Sequence, residues 1–301
     1  DIARAGEILR KGGLVGIPTE TVYGLAADAL NGEAVKKIFQ AKGRPMDNPL
    51  IVHISHIEQL QDLVAEIPES ARELARRWWP GPLTMIFPKS ARIPDEVSAG
   101  LPTVAVRFPA HPAARAVIDA AGTPLAAPSG NRSGRPSPTT AAHMLVDMDG
   151  RIDAIVDGGP CQVGVESTVI TLATNPPRLL RPGGITLEQL REALGQVEMD
   201  EAVLNPLKEG EKAASPGMKY KHYAPKAHVI IVDGPYEAYC RFVNRHKGPG
   251  VAAMCYNGDE KALEVPAVCY GGREDYAEQA RELFDALREL DEMGAQTVFA
   301  R

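Results

Sequence analysis

The amino-acid sequence predicts an α/β protein with two domains, the first of which is built on a mixed β-sheet. The chain has 301 residues, which is long for one ordinary domain. Short apolar runs typical of strands alternate with amphipathic segments typical of helices. Several strand-like runs also follow one another directly, so a regular β-α-β repeat with an all-parallel sheet is not expected.

The first domain is predicted to cover residues 1–200. Its predicted helices are 2–11, Gly32–Ala41, 55–67, 68–79, His111–Ala121, 139–148 and Thr186–Leu194. Its predicted strands are Leu14–Ile17, Leu50–Ile54, Leu83–Phe87, Thr103–Phe108, Leu125–Ala127, Ala154–Val156 and Thr168–Leu172, with Arg178–Arg181 extended. Glycines end the first two helices, and Ser55 and Pro68 are expected to begin the third and fourth.

A linker and a smaller domain are predicted to follow. The composition becomes charged and polar from about Val197 to Pro225, and residues 201–226 are assigned as the linker. In residues 227–301, the predicted strands are His228–Val232, Val251–Tyr256, Ala267–Tyr270 and Thr297–Phe299, and the helices are Pro235–Arg245 and Arg273–Met293. Strands separated by helices favour a Rossmann-like domain. It contains no GxGxxG motif, so no nucleotide is assigned to it.

The composition is that of a soluble globular protein, with 44% hydrophobic and 24% charged residues. No apolar run is long enough to span a membrane, and residues 1–13 are typical of an amphipathic helix, not of a signal peptide. The four cysteines form no Cys-x-x-Cys pair, which predicts reduced thiols in a cytoplasmic protein without a zinc site or disulfides. Cys161 is expected to be a packed thiol.

The charge distribution favours discrete anion sites. A net charge of −6 argues against a protein coated in nucleic acid. However, residues 101–136 contain four arginines against one aspartate, and residues 208–226 contain five lysines against two glutamates. Such local excesses in an acidic protein are typical of sites for individual anionic ligands.

The loop that follows the second predicted helix is the first candidate anion site. Lys42 and Arg44 are two residues apart, and in an extended loop their side chains project to the same side. Asn48 adds a neutral donor, and prolines on either side restrict the loop. A phosphate chain is the leading ligand. The alternative is a solvated helix terminus, in which Lys42 interacts with the helix dipole.

Two further candidates lie within predicted strands. Arg107 lies within the predicted apolar strand Val104–Phe108, and a buried guanidinium needs an anionic partner, either in a ligand or in a carboxylate of the protein. His53, taken alone, is interpreted as a hydrogen-bonded core histidine.

The loop Pro128–Pro138 offers hydroxyls, cations and backbone N–H groups for a phosphate, or is an ordinary surface loop. The sequence has no Walker loop, HExxH or GxSxG, so a nucleotide would bind in a non-Walker site.

Seven motifs occur in a fixed order: PTETVYGL, KGRPxxNPLIVHI, PGPLT, VAVRFP, PSGNxSGxxSPT, ESTV and LRPGG. Together they closely resemble the YrdC/Sua5 family of L-threonylcarbamoyladenylate synthases. The later SPGMKYKHYAP and the α/β segment after it resemble the two-domain Sua5 type, so the resemblance covers nearly the whole chain. One departure is that the chain ends at Arg301, before the glycine-containing final segment that the resemblance leads us to expect.

The resemblance implies a YrdC-like domain on a twisted mixed sheet with a concave site. It implies synthesis of threonylcarbamoyl-AMP from L-threonine, bicarbonate or CO2, and ATP, with release of pyrophosphate. This is the first step of N6-threonylcarbamoyladenosine formation at position 37 of tRNA, and a separate transferase complex takes the product. Mg2+ is expected to bind with ATP, without a metal site on the protein. Catalysis is expected to rest on positioning and electrostatics, with Lys42 and Arg44 the main contributors.

The resemblance also assigns roles to individual residues. ATP is expected to contact Lys42, Arg44, Asn48, Thr103, Ser129, Ser137, Arg181, His222 and Tyr223. L-Threonine is expected to contact Thr21, His53, Arg107, Ala127 and Ser167. The linker would close over the site, and the choice between Tyr220, His222 and Tyr223 as its contact to ATP stays open.

Two other functions stay open at this point. YrdC-like domains have a positive concave face, so the chain could be a module that binds double-stranded RNA weakly, although its acidity argues against this as the main role. It could also form a carbamoyl-adenylate, like the related domain of hydrogenase-maturation carbamoyltransferases. Those proteins carry a zinc-finger region, which the cysteine spacing excludes here.

Overall fold

A computed structural model describes residues 1–205 and 224–301. It divides into two compact units. The first consists of Asp1–Ser133, Ser137–Gln162 and the described residues from Glu166 to 205, and the second of Gly134–Pro136, Val163–Val165 and the described residues from 224 onward. The limits 1–200, 201–226 and 227–301 stay a prediction. Over the described ranges, every helix is too short or too polar to cross a bilayer.

The first unit contains helices and strands in irregular alternation. Its helices are α1 (Ile2–Arg10), α2 (Gly32–Lys42), α3 (Leu60–Leu63), α4 (Glu69–Trp78), α5 (Asp95–Ser98), α6 (Pro112–Ala121), α7 (Ala141–Met148) and α8 (Leu187–Leu194). Its strands are β1 (Val15–Ile17), β2 (Gly24–Asp28), β3 (Ile51–His53), β4 (Leu83–Pro88), β5 (Thr103–Arg107), β6 (Leu125–Ala126), β7 (Ala154–Ile155), β8 (Thr168–Thr171), β9 (Arg178–Arg181) and β10 (Glu198–Met199).

These strands form one sheet in the order β10-β9-β8-β4-β5-β3-β6-β2-β1-β7. Neighbours are parallel in some pairs, such as β3 with β5, and antiparallel in others, such as β4 with β5. The predicted mixed sheet is therefore confirmed. One face packs against a large core that includes Ile38 of α2 and Leu74 of α4. The other face is covered near β1, β2 and β6 by α1 and α6, through Leu9 and Val117.

The remainder of that second face carries a separate hydrophobic cluster. Its members all lie on strands, and we call them the strand cluster: Ile51, Ile86, Ala105, Val169 and Leu180. Side chains two residues apart along a strand share a face. His53, Thr84 and Arg107 therefore lie on the same face as the strand cluster, and this face carries the candidate site.

Strand β2 was not predicted from the sequence. Its residues, Gly-Leu-Ala-Ala-Asp, include several with low strand propensity. It forms because β1 and β6 pair with it on both sides, and because Leu25, Ala26 and Ala27 are completely buried. The small side chains let α1 and α2 contact this strand. Tertiary pairing therefore outweighs the local preference here.

The predicted helix over 55–67 is wrong. Residues Ile57–Gln59 form a 3-10 turn and α3 ends at Leu63. Val64 is extended and bridges antiparallel to Lys89, which stops the helix. Ser55 does not cap it either, since the side-chain oxygen of Gln59 accepts the backbone N–H of His56 at 3.1 Å and His56 is the N-cap.

The second unit contains a smaller sheet. Its strands are β11 (His228–Ile231), β12 (Val251–Cys255), β13 (Ala267–Cys269) and β14 (Thr297–Ala300), and its helices are α9 (Tyr236–Arg245) and α10 (Tyr276–Glu292). The strands are arranged β11-β14-β12-β13 and every pair is parallel. Tyr239, Val243 and Phe299 contribute to its core. The predicted Rossmann-like arrangement of alternating strands and helices is confirmed.

Candidate active site

Strand register brings three candidate side chains together. His53 of β3 and Thr84 of β4 both lie opposite Arg107 of β5, one on each side. All three are buried. Because they share the face of the strand cluster, they form a polar group at the end of an apolar floor.

Arg107 has an anionic partner inside the protein. Its Nη2 donates to Glu20 Oε1 at 2.6 Å, and its Nη1 donates to Thr21 Oγ1 at 2.7 Å. Its Nε donates to the carbonyl of Gly81 at 3.3 Å. Of the two partners left open by the sequence, a protein carboxylate is therefore present. Contact between Arg107 and the carboxylate of threonine stays a prediction.

The loop from Pro18 to Tyr23 carries Glu20 and Thr21 to this guanidinium. Thr19 organises it: its Oγ1 donates to the carbonyl of Val22 at 2.6 Å and accepts the backbone N–H of Thr21 at 3.2 Å. A threonine hydroxyl that bonds backbone groups two and three residues on is a local turn device. The hydroxyl-rich sequence therefore shapes the loop as well as lining it.

His53 is held as a neutral acceptor. Its Nδ1 lies 3.1 Å from the carbonyl oxygen of Ile51. A carbonyl can only accept, so Nδ1 carries the proton and Nε2 presents a lone pair. Burial and the adjacent charge of Arg107 lower the pKa of His53 to about 3, so the ring stays neutral at physiological pH. The ring can accept a hydrogen bond from a hydroxyl or an amine of a ligand.

Lys42, at the end of α2, reaches the loop Pro128–Pro138. Its Nζ donates to the carbonyl of Asn131 at 2.6 Å and to that of Ser129. An ammonium has three N–H donors, so these two carbonyls leave one for a ligand. Burial and the neighbouring charge of Arg44 lower the pKa of Lys42 well below its usual value. An anionic ligand beside it would favour the charged form.

Arg44 and Asn48 shape the rest of this loop. Arg44 Nη2 donates to the carbonyl of Asn48 at 3.2 Å, and its guanidinium lies 5.8 Å from the ring centre of Phe39. The side chain of Asn48 is completely buried, and in residues 1–205 and 224–301 neither its Nδ2 nor its Oδ1 has a hydrogen-bond partner. A buried amide without partners is costly, and a ligand would supply them.

The loop Pro128–Pro138 joins the two groups of residues. The backbone N–H of Gly130 donates to the carbonyl of Tyr23 at 2.8 Å, and that of Tyr23 donates to the carbonyl of Pro138 at 2.8 Å. Ser137 is completely buried, and its hydroxyl donates to Glu166. Burial raises the pKa of the Glu166 carboxyl, against the opposing charges of Arg181 and Lys42.

Ser167 and Arg181 complete this side of the site. Ser167 Oγ lies 2.7 Å from Thr84 Oγ1, and Arg181 Nη2 donates to Ser167 Oγ at 3.1 Å. Arg181 also donates from Nη2 to the carbonyl of Ser167 at 2.9 Å. Thr84 lies opposite Arg107, so Ser167 and Arg181 extend the polar group formed by the strand residues.

The remaining predicted residues differ in how well the structure connects them to the site. Thr103 begins β5 on the same face as Arg107, four residues away, which is roughly 13 Å along a strand. Ala127 donates its backbone N–H to the carbonyl of Ile51 at 3.0 Å beside the strand cluster. His222 and Tyr223, with the alternative Tyr220, lie outside the described residues.

Three polar residues of the site have no role assigned from the sequence, and Cys161 is packed as the sequence predicts. Glu20, Glu166 and Asn131 were not assigned, although each is buried and polar. A signal is present in the motifs PTET, ESTV and SGN, each of which places one of them within two residues of an assigned residue. Cys161 is buried, and burial raises the pKa of its thiol to about 12, so it stays protonated as expected of a packed thiol.

The arrangement suits anionic ligands held without covalent chemistry. The site contains four basic side chains: Lys42, Arg44, Arg107 and Arg181. Lys42 and Arg44 donate to backbone carbonyls, Arg107 donates to Glu20 and Thr21, and Arg181 donates to Ser167. Within the described ranges, the cluster of three potential metal ligands lies in the second unit and not here. The site can therefore orient carboxylate and phosphate groups and neutralise their charge.

Comparison with known proteins identifies the family. Residues 7–183 match the Sua5/YciO/YrdC family model, described as "Telomere recombination", and residues 185–301 match "Threonylcarbamoyl-AMP synthase, C-terminal domain". The threonylcarbamoyl-AMP synthases of Pyrococcus abyssi and Bacillus subtilis are each 48% identical to this chain, over 98% and 99% of it and 87% of their own length.

A solved structure extends this similarity to the fold. The crystal structure of P. abyssi Sua5 complexed with L-threonine superposes with a TM-score of 0.91 at 47% identity, covering 99% of this chain and 88% of that chain. Both the family models and this structure span the two units. The chain therefore belongs to the Sua5/YciO/YrdC family and carries the C-terminal domain of threonylcarbamoyl-AMP synthases.

Proposed function

We propose that this protein is an L-threonylcarbamoyladenylate synthase. It joins L-threonine, bicarbonate or CO2, and ATP to give threonylcarbamoyl-AMP and pyrophosphate. The observation that carries the proposal is one hydrogen-bonded path between two kinds of cation. The path runs from Lys42 through the loops Pro128–Pro138 and Pro18–Tyr23 to Arg107. One hydrogen-bonded framework thus holds both the lysine suited to phosphate, Lys42, and the arginine suited to carboxylate, Arg107.

The nucleotide lies on the side of Lys42 and Arg44. The third N–H of Lys42, the amide of Asn48 and the hydroxyl of Ser129 serve the phosphates or ribose. Ser137, in the same loop as Ser129, and Arg181, at the end of β9, are further contacts. Thr103 is the most distant member of this set, and contacts of His222 and Tyr223 with ATP stay an expectation from the family resemblance, since both residues lie outside the described ranges. Charge accumulates on the phosphates as pyrophosphate leaves, and buried fixed cations stabilise that charge more strongly than water does.

Threonine lies on the side of Arg107. The guanidinium of Arg107 offers N–H donors to the carboxylate of the substrate. Thr21 and Ser167 supply hydroxyls, and Ala127 lies beside the strand cluster. The lone pair on His53 Nε2 accepts a hydrogen bond from the substrate amine or hydroxyl. The amine attacks CO2 to form a carbamate, and a carbamate oxygen then attacks the α-phosphorus of ATP. No residue forms a covalent bond, so the protein acts by positioning.

Mg2+ accompanies ATP in this proposal. The carboxylates of the site do not form a cage, because Glu20 accepts from Arg107 and Glu166 accepts from Ser137. Mg2+ keeps several waters and is commonly held by substrate phosphates with few protein ligands. Triphosphate oxygens would hold the ion here, where it would neutralise charge on the leaving pyrophosphate.

The product's chemistry defines the partners. Threonylcarbamoyl-AMP is an activated acyl group, and a transferase complex takes it for modification of adenosine 37 in tRNA. We place the reaction in the cytoplasm, where tRNA, ATP and threonine meet.

The proposal is tested by pyrophosphate release. Purified protein is incubated with Mg2+, ATP, threonine and bicarbonate, and then with each component omitted. Release that needs ATP, threonine and bicarbonate together supports the synthase. Release that continues without threonine, or without bicarbonate in buffer freed of dissolved CO2, identifies a nucleotide hydrolase and rejects the proposal.

A further inference from the structure

We propose that the second unit binds one Zn2+ ion through Cys255, Glu260 and Cys269. Their ligand atoms, two Sγ atoms and one carboxylate oxygen, lie within 4.8 Å of one another. This cluster is separate from the residues assigned to ATP and threonine, and it does not depend on the proposed function.

Strand pairing brings the two thiols together. Cys255 is the last residue of β12 and Cys269 the last of β13, and the parallel register places one directly opposite the other. Thirteen residues separate them in sequence, so no Cys-x-x-Cys spacing reveals the pair. In open parallel α/β sheets, ligands bind at the carboxyl ends of the strands, which is where both thiols lie.

The loop after β12 brings the third ligand. Glu260 lies in a 3-10 turn over Asp259–Ala262, and its Oε2 is 3.3 Å from Cys269 Sγ. The same oxygen accepts the backbone N–H of Gly258 at 2.7 Å. Gly258 has φ +94°, a conformation that favours glycine. The carboxylate is therefore oriented toward the thiols before a metal arrives.

The donor set selects the ion. Two thiolates with one carboxylate favour Zn2+ over Mg2+ or Ca2+, which prefer oxygen alone. Three protein ligands leave the fourth tetrahedral position for water or another ligand. Glu260 and Cys269 are partly exposed while Cys255 is buried, so an ion can approach from one side. Each thiol must lose its proton on binding, so uptake releases protons.

The first test is metal uptake by the intact, reduced protein. The protein is freed of metal, dialysed against Zn2+, and analysed for bound zinc. We expect about one ion per chain, and Co2+ in its place to give thiolate-to-metal absorption. The variants Cys255→Ser and Cys269→Ser should lose the ion, and Glu260→Gln should weaken binding at least ten-fold. Cys240→Ser is the matched control, because Cys240 is a buried cysteine of the same unit outside the cluster.

A second test needs no variant, so it stands even if a substitution prevents folding. Alkylation of native protein is followed residue by residue with mass spectrometry. We expect Zn2+ to protect Cys269 and Cys255 and to leave the labelling of Cys240 unchanged. Equal labelling of Cys269 with and without Zn2+ would overturn the proposal. So would a Cys255–Cys269 disulfide that, after reduction, yields protein without zinc uptake.

Discussion

Arg107 and Glu20 form an ion pair with 2.6 Å between Nη2 and Oε1, and their side chains are only 5% and 7% exposed. The pair joins β5 to the loop Pro18–Tyr23. In a buried pair each charge depends on the other, because removing one partner leaves the other without compensation. The Arg107 side of the site is thus charged and oriented before substrate binds.

Arg107→Ala should raise the threonine concentration for half-maximal rate at least ten-fold, which corresponds to about 1.4 kcal/mol or more. The ATP requirement should change much less, because Lys42 and Arg44 remain. Steady-state pyrophosphate release with each substrate varied gives both values. Arg92→Ala, which removes an exposed arginine paired with Asp62, is the control and should leave both unchanged. An unaltered threonine requirement in Arg107→Ala would remove Arg107 from the threonine site.

Glu20→Gln should lower the free energy of unfolding by about 3–5 kcal/mol, because the Arg107 charge stays buried without its counter-charge. Urea denaturation at pH 7 measures it. The matched control is Glu69→Gln, whose exposed pair with Arg76 should contribute less than about 1 kcal/mol. Equal stability of the two variants would show that the buried pair does not hold the loop in place.

His53 makes stability depend on pH in a defined direction. Its pKa is about 3 in the folded protein against 6.5 in the unfolded chain, so below pH 6.5 the unfolded state binds the additional proton. The stabilising effect is complete above that pH and declines as pH falls toward 3. Relative to His53→Asn, wild type should lose about 1.4 kcal/mol per pH unit below 6.5. Urea denaturation from pH 7 to 5 should show the free energy of unfolding of wild type falling toward that of His53→Asn. A constant difference between the two proteins over this range would contradict a buried neutral ring.

Asn48→Leu should separate stability from function. Leucine has a similar volume and removes the buried polar atoms, which lack partners within the described residues, so the ligand-free variant should be more stable by about 1–3 kcal/mol. The same change should raise the ATP concentration for half-maximal rate at least ten-fold. Thermal unfolding and steady-state kinetics measure the two effects. A variant that keeps the wild-type ATP requirement would show that the amide does not serve the nucleotide.

Apolar runs and helical periodicity predict the elements that form from neighbouring residues, but not the contacts between residues that are distant in sequence. The run that contains Arg107 is apolar and of strand length, and α2 shows helical periodicity, so the sequence predicts both. Strand β2 was missed because its small residues form a strand only between β1 and β6. The sequence does not identify the partner of Arg107, because Glu20 is 87 residues away and reaches it through the turn at Thr19. Cys255 and Cys269 likewise meet only through the register of two parallel strands.

The most direct measurement is the mass of the product formed from 13C-bicarbonate, threonine and ATP. We predict an adduct that contains AMP, threonine and one labelled carbon, formed together with pyrophosphate and at a much lower rate in Arg107→Ala. An adduct of AMP and threonine without the labelled carbon would mean that the threonine carboxylate attacks ATP directly. That result would contradict the assignment of Arg107 to the carboxylate and the proposed reaction with it.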